Sequence, residues 1–278
     1  MKTFTRFLLI VSLLAIACPG LAADASPNDA QKELKQLIEK VQAKLHEGKK
    51  TEQDLADELK EFDTLLKAHE KEKTDDVAQI LFMKAILYLQ VIDDTDKAKE
   101  LVKKLKKDFP ETRPGKQADE ILASIDKGEA SKKIQRALAV GTKFPDFKEK
   151  DINGKPISIS DHKGKVVLVD FWATWCGPCI GELPNVLATY DKHHKNGFDI
   201  VGISLDKDLD RLKSFTNEKK MTWQQFFDGK MWENKLATIY GVNSIPATYL
   251  LDRTGTIIGK DLRGEELEKA VADALAKK

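Results

Sequence analysis

The chain has 278 residues, and its 46 basic and 45 acidic side chains leave a net charge of +1, so no field of one sign favours nucleic acid or an anionic membrane surface. That length suits two domains at roughly 100–200 residues each. Three cysteines are too few for a disulfide framework or for a four-ligand zinc site, and neither a metal nor a cofactor is called for.

Lys2 and Arg6 precede an apolar run over 7–17 and small residues through Ala25, the layout of a secretory signal peptide, assigned to 1–23. The run falls short of the roughly 20 apolar residues that span a bilayer. Gly20-Leu21-Ala22 offers an ordinary cleavage site, the reading favoured here; Ala15-Ile16-Ala17-Cys18 fits a loose lipoprotein pattern in which Cys18 would be lipidated. Either route predicts an extracytoplasmic protein, in the bacterial periplasm. Losing Cys18 would leave Cys176 and Cys179 as its only thiols.

From 26 to 127 the pattern predicts an all-α domain. Leu34, Leu37, Ile38, Val41 and Leu45 share one helical face, and Leu55, Leu59, Phe62 and Leu66 share the next. Gly48 closes the first helix, and Thr51 with Asp54 forms a capping box for the second. Thr74 opens a third, more apolar helix, Thr95 caps a fourth that ends near Phe109-Pro110, and Pro114 starts a fifth. The paired helices from Thr74 to Ile125 resemble tetratricopeptide-type repeats. Stable stacks usually need about three repeats, so a small bundle serving as a spacer, a partner surface or a self-association surface explains the pattern as well.

Residues 128–140 are assigned to a linker, a break at Gly128-Glu129-Ala130-Ser131 followed by a basic helical stretch to Val140, and 141–278 to a second domain of alternating strands and helices. A hairpin over 144–159 is expected to turn at Asn153-Gly154 as a type I′ turn. Val166–Phe171 is continuously apolar apart from Asp170, as in a central strand buried on both faces. A strand over 198–205, helices over 209–218 and 231–240, a hairpin over 247–259 and a last helix complete the domain. His162, His193 and His194 show no metal or triad spacing and are read as surface residues.

Cys176-Gly177-Pro178-Cys179 stands where the central strand gives way to a helix. Unpaired N–H groups and the helix dipole there favour a thiolate, lowering a cysteine from about 8.5 to roughly 3.5–7.5. Cys176 is thus expected to be the nucleophile and the more exposed of the two, with Cys179, one turn on, resolving the mixed disulfide.

Trp-Cys-Gly-Pro-Cys after Asp170-Phe171-Trp172-Ala173 resembles thioredoxin. Phe144-Pro145-Asp146-Phe147, Asp151-Ile152-Asn153-Gly154-Lys155 and Lys163-Gly164-Lys165-Val166-Val167-Leu168 more closely resemble the TlpA/ResA-type thiol–disulfide oxidoreductases. The resemblance runs from about Gly141 to the C-terminus. It implies an α/β thioredoxin-like fold with an added N-terminal β-hairpin, here preceded by the all-α domain.

The resemblance also implies a cis bond between Ile245 and Pro246 beside the dithiol, with the Ile245 backbone offered to a client strand. It matches Asp170 to thioredoxin's buried acid and Glu182 to the glutamate of the ResA-type Cys-x-x-Cys-x-x-Glu pattern; either would take the proton of Cys179. A hydrogen-bonded structural acid and a solvated helix acid are the plain alternatives. Trp175 is assigned to shielding the sulfur and forming client surface, and Trp172 to packing.

The expected function is an exported protein-disulfide reductase. Implied partners are disulfide-bearing clients, such as the haem-binding cysteines of apocytochrome c, and a membrane thiol electron donor. Two alternatives stay open. A peroxiredoxin-like thiol peroxidase would share the Pro-Asp-Phe segment, although Thr174 stands only two residues before Cys176; a helical scaffold carrying an accessory redox domain is the other.

Overall fold

The computed structural model describes residues 29–277. The expected signal segment and Cys18 lie outside them. The chain divides into two compact units between Asp126 and Lys127.

The first unit is helical: α1 (Asp29–His46), α2 (Ala56–Ala68), α3 (Asp75–Leu87), α4 (Thr95–Asp108), the short α5 (Arg113–Lys116) and the start of α6 (Ala118–Ala137). Leu37, Phe62, Ile80, Leu81 and Leu105 are fully buried together at its centre. Gly48 adopts φ +82°, which a side chain at that position would resist, and terminates α1. Thr51 and Asp54 exchange reciprocal hydrogen bonds, Asp54 N–H to Thr51 Oγ1 at 3.1 Å and Thr51 N–H to Asp54 Oδ2 at 3.0 Å.

Three helix starts differ from expectation. α2 begins only at Ala56, behind Leu55, which makes no side-chain cap, so the Thr51–Asp54 pair closes the turn before the helix rather than the helix itself. Asp94, not Thr95, caps α4, accepting from the Lys97 N–H at 3.0 Å; a π-helical turn over Tyr88–Ile92 and a left-handed Asp93 place the carboxylate, rather than the hydroxyl, at the cap. The fifth helix is split, because Thr112 caps the single turn of α5 and α6 starts afresh at Ala118.

Residues 128–137, assigned to a linker with a break at Gly128, continue α6 without interruption and pack within the second unit. Gly128 costs only about 1 kcal/mol in a helix, so it does not break the run. Ile134 joins the core, and Gln135 Nε2 donates to the Tyr240 carbonyl at 2.7 Å and the Tyr249 hydroxyl at 2.6 Å. Gly241 is required opposite this helix: a Cβ there would lie 2.9 Å from the Ser131 carbonyl oxygen.

The second unit continues with β1 (Glu149–Lys150), β2 (Pro156–Ile157), β3 (Val166–Trp172), α7 (Gly177–His193), β4 (Phe198–Ser204), α8 (Leu209–Glu218), β5 (Gln224–Phe227), α9 (Lys235–Ile239), β6 (Ala247–Leu251), β7 (Ile257–Lys260) and α10 (Gly264–Ala276). β1 and β2 form the added hairpin. Its turn is not type I′, since only Gly154 takes positive φ. Asp151 instead nucleates a longer loop, its Oδ1 accepting from the Asn153 and Lys155 N–H groups.

The main sheet has the order β5-β4-β3-β6-β7, with β3, β4 and β5 parallel and β6 and β7 antiparallel. Every residue of β3 and β4 is buried, the consequence of covering both faces with helices. This is a thioredoxin-like fold. The edge strand β5 is not among the elements expected from the pattern between the helices over 209–218 and 231–240. Among the described residues no helix is long and apolar enough to cross a membrane.

His162 and His193 are not surface residues. His162 Nδ1 lies 3.2 Å from Asp199 Oδ2, and His193 Nε2 lies 2.9 Å from Glu268 Oε1; both rings are buried. Burial raises the Asp199 carboxyl, yet hydrogen bonds from His162, Lys165 and the Ile200 N–H bring it down to about 2.

Candidate functional site

β3 delivers the chain through Ala173, Thr174 and Trp175 to Cys176, the N-cap of α7. Cys176 and Cys179 form a disulfide with S–S 2.04 Å. The Cys179 N–H points at Cys176 Sγ, 3.2 Å away. A helix start without a carboxylate or hydroxyl cap therefore uses sulfur as its acceptor, and a thiolate would accept the same bond more strongly. Exposure does not separate the pair: in the disulfide form Cys176 is 5% and Cys179 7% exposed, contrary to the expectation for Cys176. Direction separates them, since Cys176 Sγ accepts the Cys179 N–H at the helix start whereas Cys179 lines a small cleft.

That cleft is lined by Asp170, Cys179, Glu182, Pro246, Thr248 and Arg263. Asp170 sits in the middle of β3, opposite Gly202 of β4 and Thr248 of β6. Burial pushes its carboxyl up to about 7; Arg263 opposes the rise and Glu182 adds to it. Glu182, half-buried on α7, accepts from the Gly264 N–H at the start of α10 at 2.7 Å and from Asn185 Nδ2 at 3.2 Å. It is thus held on a neighbouring helix start and is not a freely solvated acid.

The Ile245–Pro246 bond is cis, and Pro246 lines the same cleft as Cys179. Arg263 was not singled out in the sequence. Its Nη2 donates to the Pro246 carbonyl at 2.9 Å, and its Nη1 to Thr248 Oγ1 at 2.9 Å and to the Leu262 carbonyl at 2.7 Å. One guanidinium thereby fixes the cis-proline segment and sets a positive charge facing the two carboxyls. The available signal was its place between the last strand and the last helix, at a sheet end where chain crossings gather.

Asp206, buried just past the end of β4, was also missed. It accepts from the Thr174 N–H, from Thr174 Oγ1 at 2.6 Å and from Ser204 Oγ at 2.8 Å, which fixes the segment that leads into the dithiol. Trp175 is 40% exposed, with its indole N–H donating to the Leu205 carbonyl at 3.3 Å. Trp172 is buried and donates to Gln225 Oε1 at 3.0 Å, a packing position. Among the described residues no cluster of three or more His, Cys, Asp or Glu side chains is placed to hold a metal.

A dithiol at a helix start, a buried acid behind its second sulfur and a cis proline beside it together define a thiol–disulfide exchange site. Residues 140–260 match the model of the AhpC/TSA family. The thiol-disulfide oxidoreductase ResA of Bacillus anthracis is 30% identical over 140 residues, covering 50% of this chain and 79% of that protein. ResA of Geobacillus thermodenitrificans is 31% identical over 121 residues, covering 44% of this chain and 68% of that one. The thioredoxin domain of a thiol-disulfide oxidoreductase from Bacteroides vulgatus is 35% identical, covering 49% of this chain and 97% of its own, with a TM-score of 0.45. The class is that of thioredoxin-like thiol–disulfide oxidoreductases, enzymes that act on disulfide-bearing proteins. Within it, this chain belongs to the ResA-type family.

Proposed function

We propose that the protein is an exported disulfide reductase working through Cys176 and Cys179. The observation that carries this reading is the different placement of the two sulfurs, Cys176 Sγ accepting the Cys179 N–H at the start of α7 and Cys179 lining the cleft of Asp170 and Glu182. The reduced Cys176 thiolate attacks a client disulfide, forming a mixed disulfide and expelling one client thiolate. Cys179 then gives its proton to Asp170, with Glu182 as second acceptor, and attacks Cys176 Sγ. The second client thiolate leaves, two electrons have passed to the client, and a further dithiol must return them. Near pH 7 an Asp170 that titrates at about 7 is present in both forms, as proton exchange with a thiol requires.

Trp175, Ile245 and Pro246 are assigned to client contact, with the Ile245 backbone offered as a strand edge. The signal pattern over 1–23 supports export to the periplasm, with lipidation of Cys18 the lesser alternative. Apocytochrome c haem-binding cysteines as client, a membrane thiol protein as donor, and the helical unit as a partner or self-association surface complete the reading.

The AhpC/TSA match supports a second reading as a thiol peroxidase. Against it, the Thr174 hydroxyl is engaged by Asp206 at 2.6 Å and so is not directed at a peroxide. Insulin reduction and hydrogen peroxide consumption by the pure protein decide between the two. The expected result is disulfide reduction that is lost in Cys176→Ser, with peroxide turnover at background. Faster peroxide turnover overturns the reductase reading.

A further inference from the structure

Beside the dithiol the second unit displays large apolar side chains to solvent. Trp175 is 40%, Met231 37% and Trp232 41% exposed, and the two indoles meet edge to face with centroids 5.8 Å apart. Exposed apolar groups of this size cost solvation unless something covers them. Their support is unusually stiff. Asn234 is fully buried; its Nδ2 donates to the Ser204 carbonyl at 3.2 Å and to Asp228 Oδ1 at 3.1 Å, and its Oδ1 caps α9 by accepting from the Leu236 and Ala237 N–H groups. Asp228 Oδ1 also accepts from the Lys230 N–H, and its Oδ2 from the Lys235 N–H. Trp175 is tied to the same stretch, through its own bond to Leu205 and that of Thr174 to Asp206. Residues 204–206 at the end of β4 therefore fix both tryptophans. Met231 is held in the left-handed region at φ +51°, a conformation an ordinary side chain adopts only when its surroundings impose it.

We infer that Trp232 and Met231 extend the client surface of Trp175 into a rigid apolar shelf, which selects clients carrying a bulky apolar or aromatic residue near the disulfide cysteine. The occupant is identified by continuity: the shelf touches Trp175, which immediately precedes Cys176, so any chain whose sulfur reaches Cys176 passes beside it. An aromatic side chain laid there gains stacking as well as burial. A rigid shelf loses little freedom on binding. This recognition role rests on the reductase function proposed above.

Two disulfide-linked peptide substrates, identical except for Phe or Ala two residues from the cysteine, test it with the full chain. For wild type the Phe peptide is expected to have a kcat/KM about tenfold above the Ala peptide. In Trp232→Ala that ratio falls to about one, and in Trp232→Phe most of it returns. A ratio near one in wild type, or an unchanged ratio in Trp232→Ala, overturns the shelf while leaving the reductase reading intact. Failure of wild type to reduce either peptide overturns the reductase reading, and the shelf with it. A dimer in solution that Trp232→Ala dissociates overturns the client assignment in favour of a second copy of the chain.

Discussion

At Asp170 two opposed demands meet in one side chain. A carboxylate inside a sheet is costly to ionise, yet the second half of the exchange needs an acceptor for the Cys179 proton. Raising the carboxyl from 3.8 to about 7 corresponds to about 4 kcal/mol at about 1.4 kcal/mol per pH unit. The sign follows from linkage: the folded state binds this proton more tightly than the unfolded state, so stability is lost as pH rises from about 4 to about 7, and the full penalty is present above that. Asp170→Asn is therefore expected to stabilise the oxidised protein at pH 8 by up to about 4 kcal/mol, with the gain vanishing near pH 4, and to slow resolution of the mixed disulfide. Denaturant titrations at the two pH values check the first part; equal stabilisation at both would show that folding does not raise the Asp170 carboxyl above its ordinary value. Asp170 and Glu182 were legible because their spacing from the cysteines along one strand and one helix is a sequence quantity. Arg263 was not, since only the closing of β6, β7 and α10 over β3 brings it to the cleft.

Elements were legible where one chain segment decides its own fate. The buried run of β3, the strand β6 and the helix α8 follow from local apolar pattern, and the hydrogen-bonded pair of Thr51 and Asp54 from four residues. The departures share a cause. Asp94 displaces Thr95 as a cap because a π-helical turn shifts the chain, β5 exists only because β4 offers an edge, and α6 runs past Gly128 because Ile134 and Gln135 find partners in the second unit. The loop from Ala173 to Cys176 depends likewise on a distant residue. Asp206 is 2% exposed and satisfies the Thr174 N–H, the Thr174 hydroxyl and the Ser204 hydroxyl. Asp206→Ala leaves buried donors unpaired at about 1–3 kcal/mol each, and a loss of about 3 kcal/mol is expected in denaturant titration, together with slower insulin reduction. Wild-type stability in this variant would mean that the network does not hold the segment.

For the whole molecule, the two-unit organisation was visible in the change from helical to alternating pattern, but where the catalytic unit begins was not. Leu138 is 3% exposed in its core, and Gln135 holds Tyr240 and Tyr249. A fragment starting at Lys127 is expected to fold and reduce insulin at close to the full rate. Starting at Gly141 instead removes Leu138, worth about 2 kcal/mol, and two hydrogen bonds at about 1 kcal/mol each, and should lower the midpoint of thermal unfolding. Circular dichroism on both fragments checks this; equal stability would place the boundary at Gly141, and an unfolded Lys127 fragment would make the helical unit part of one cooperative structure.

The division of labour between the two sulfurs is tested most directly by trapping. Reduced Cys179→Ser and Cys176→Ser are each mixed with a disulfide-bearing protein at pH 7, quenched with acid and mapped by mass spectrometry. The expected result is a mixed disulfide that accumulates through Cys176 in the Cys179→Ser protein and is scarce in Cys176→Ser, because only Cys176 Sγ receives the N–H of the helix start. Trapping mainly through Cys179, or equally through both, would contradict the assignment of Cys176 as nucleophile and Cys179 as resolving thiol.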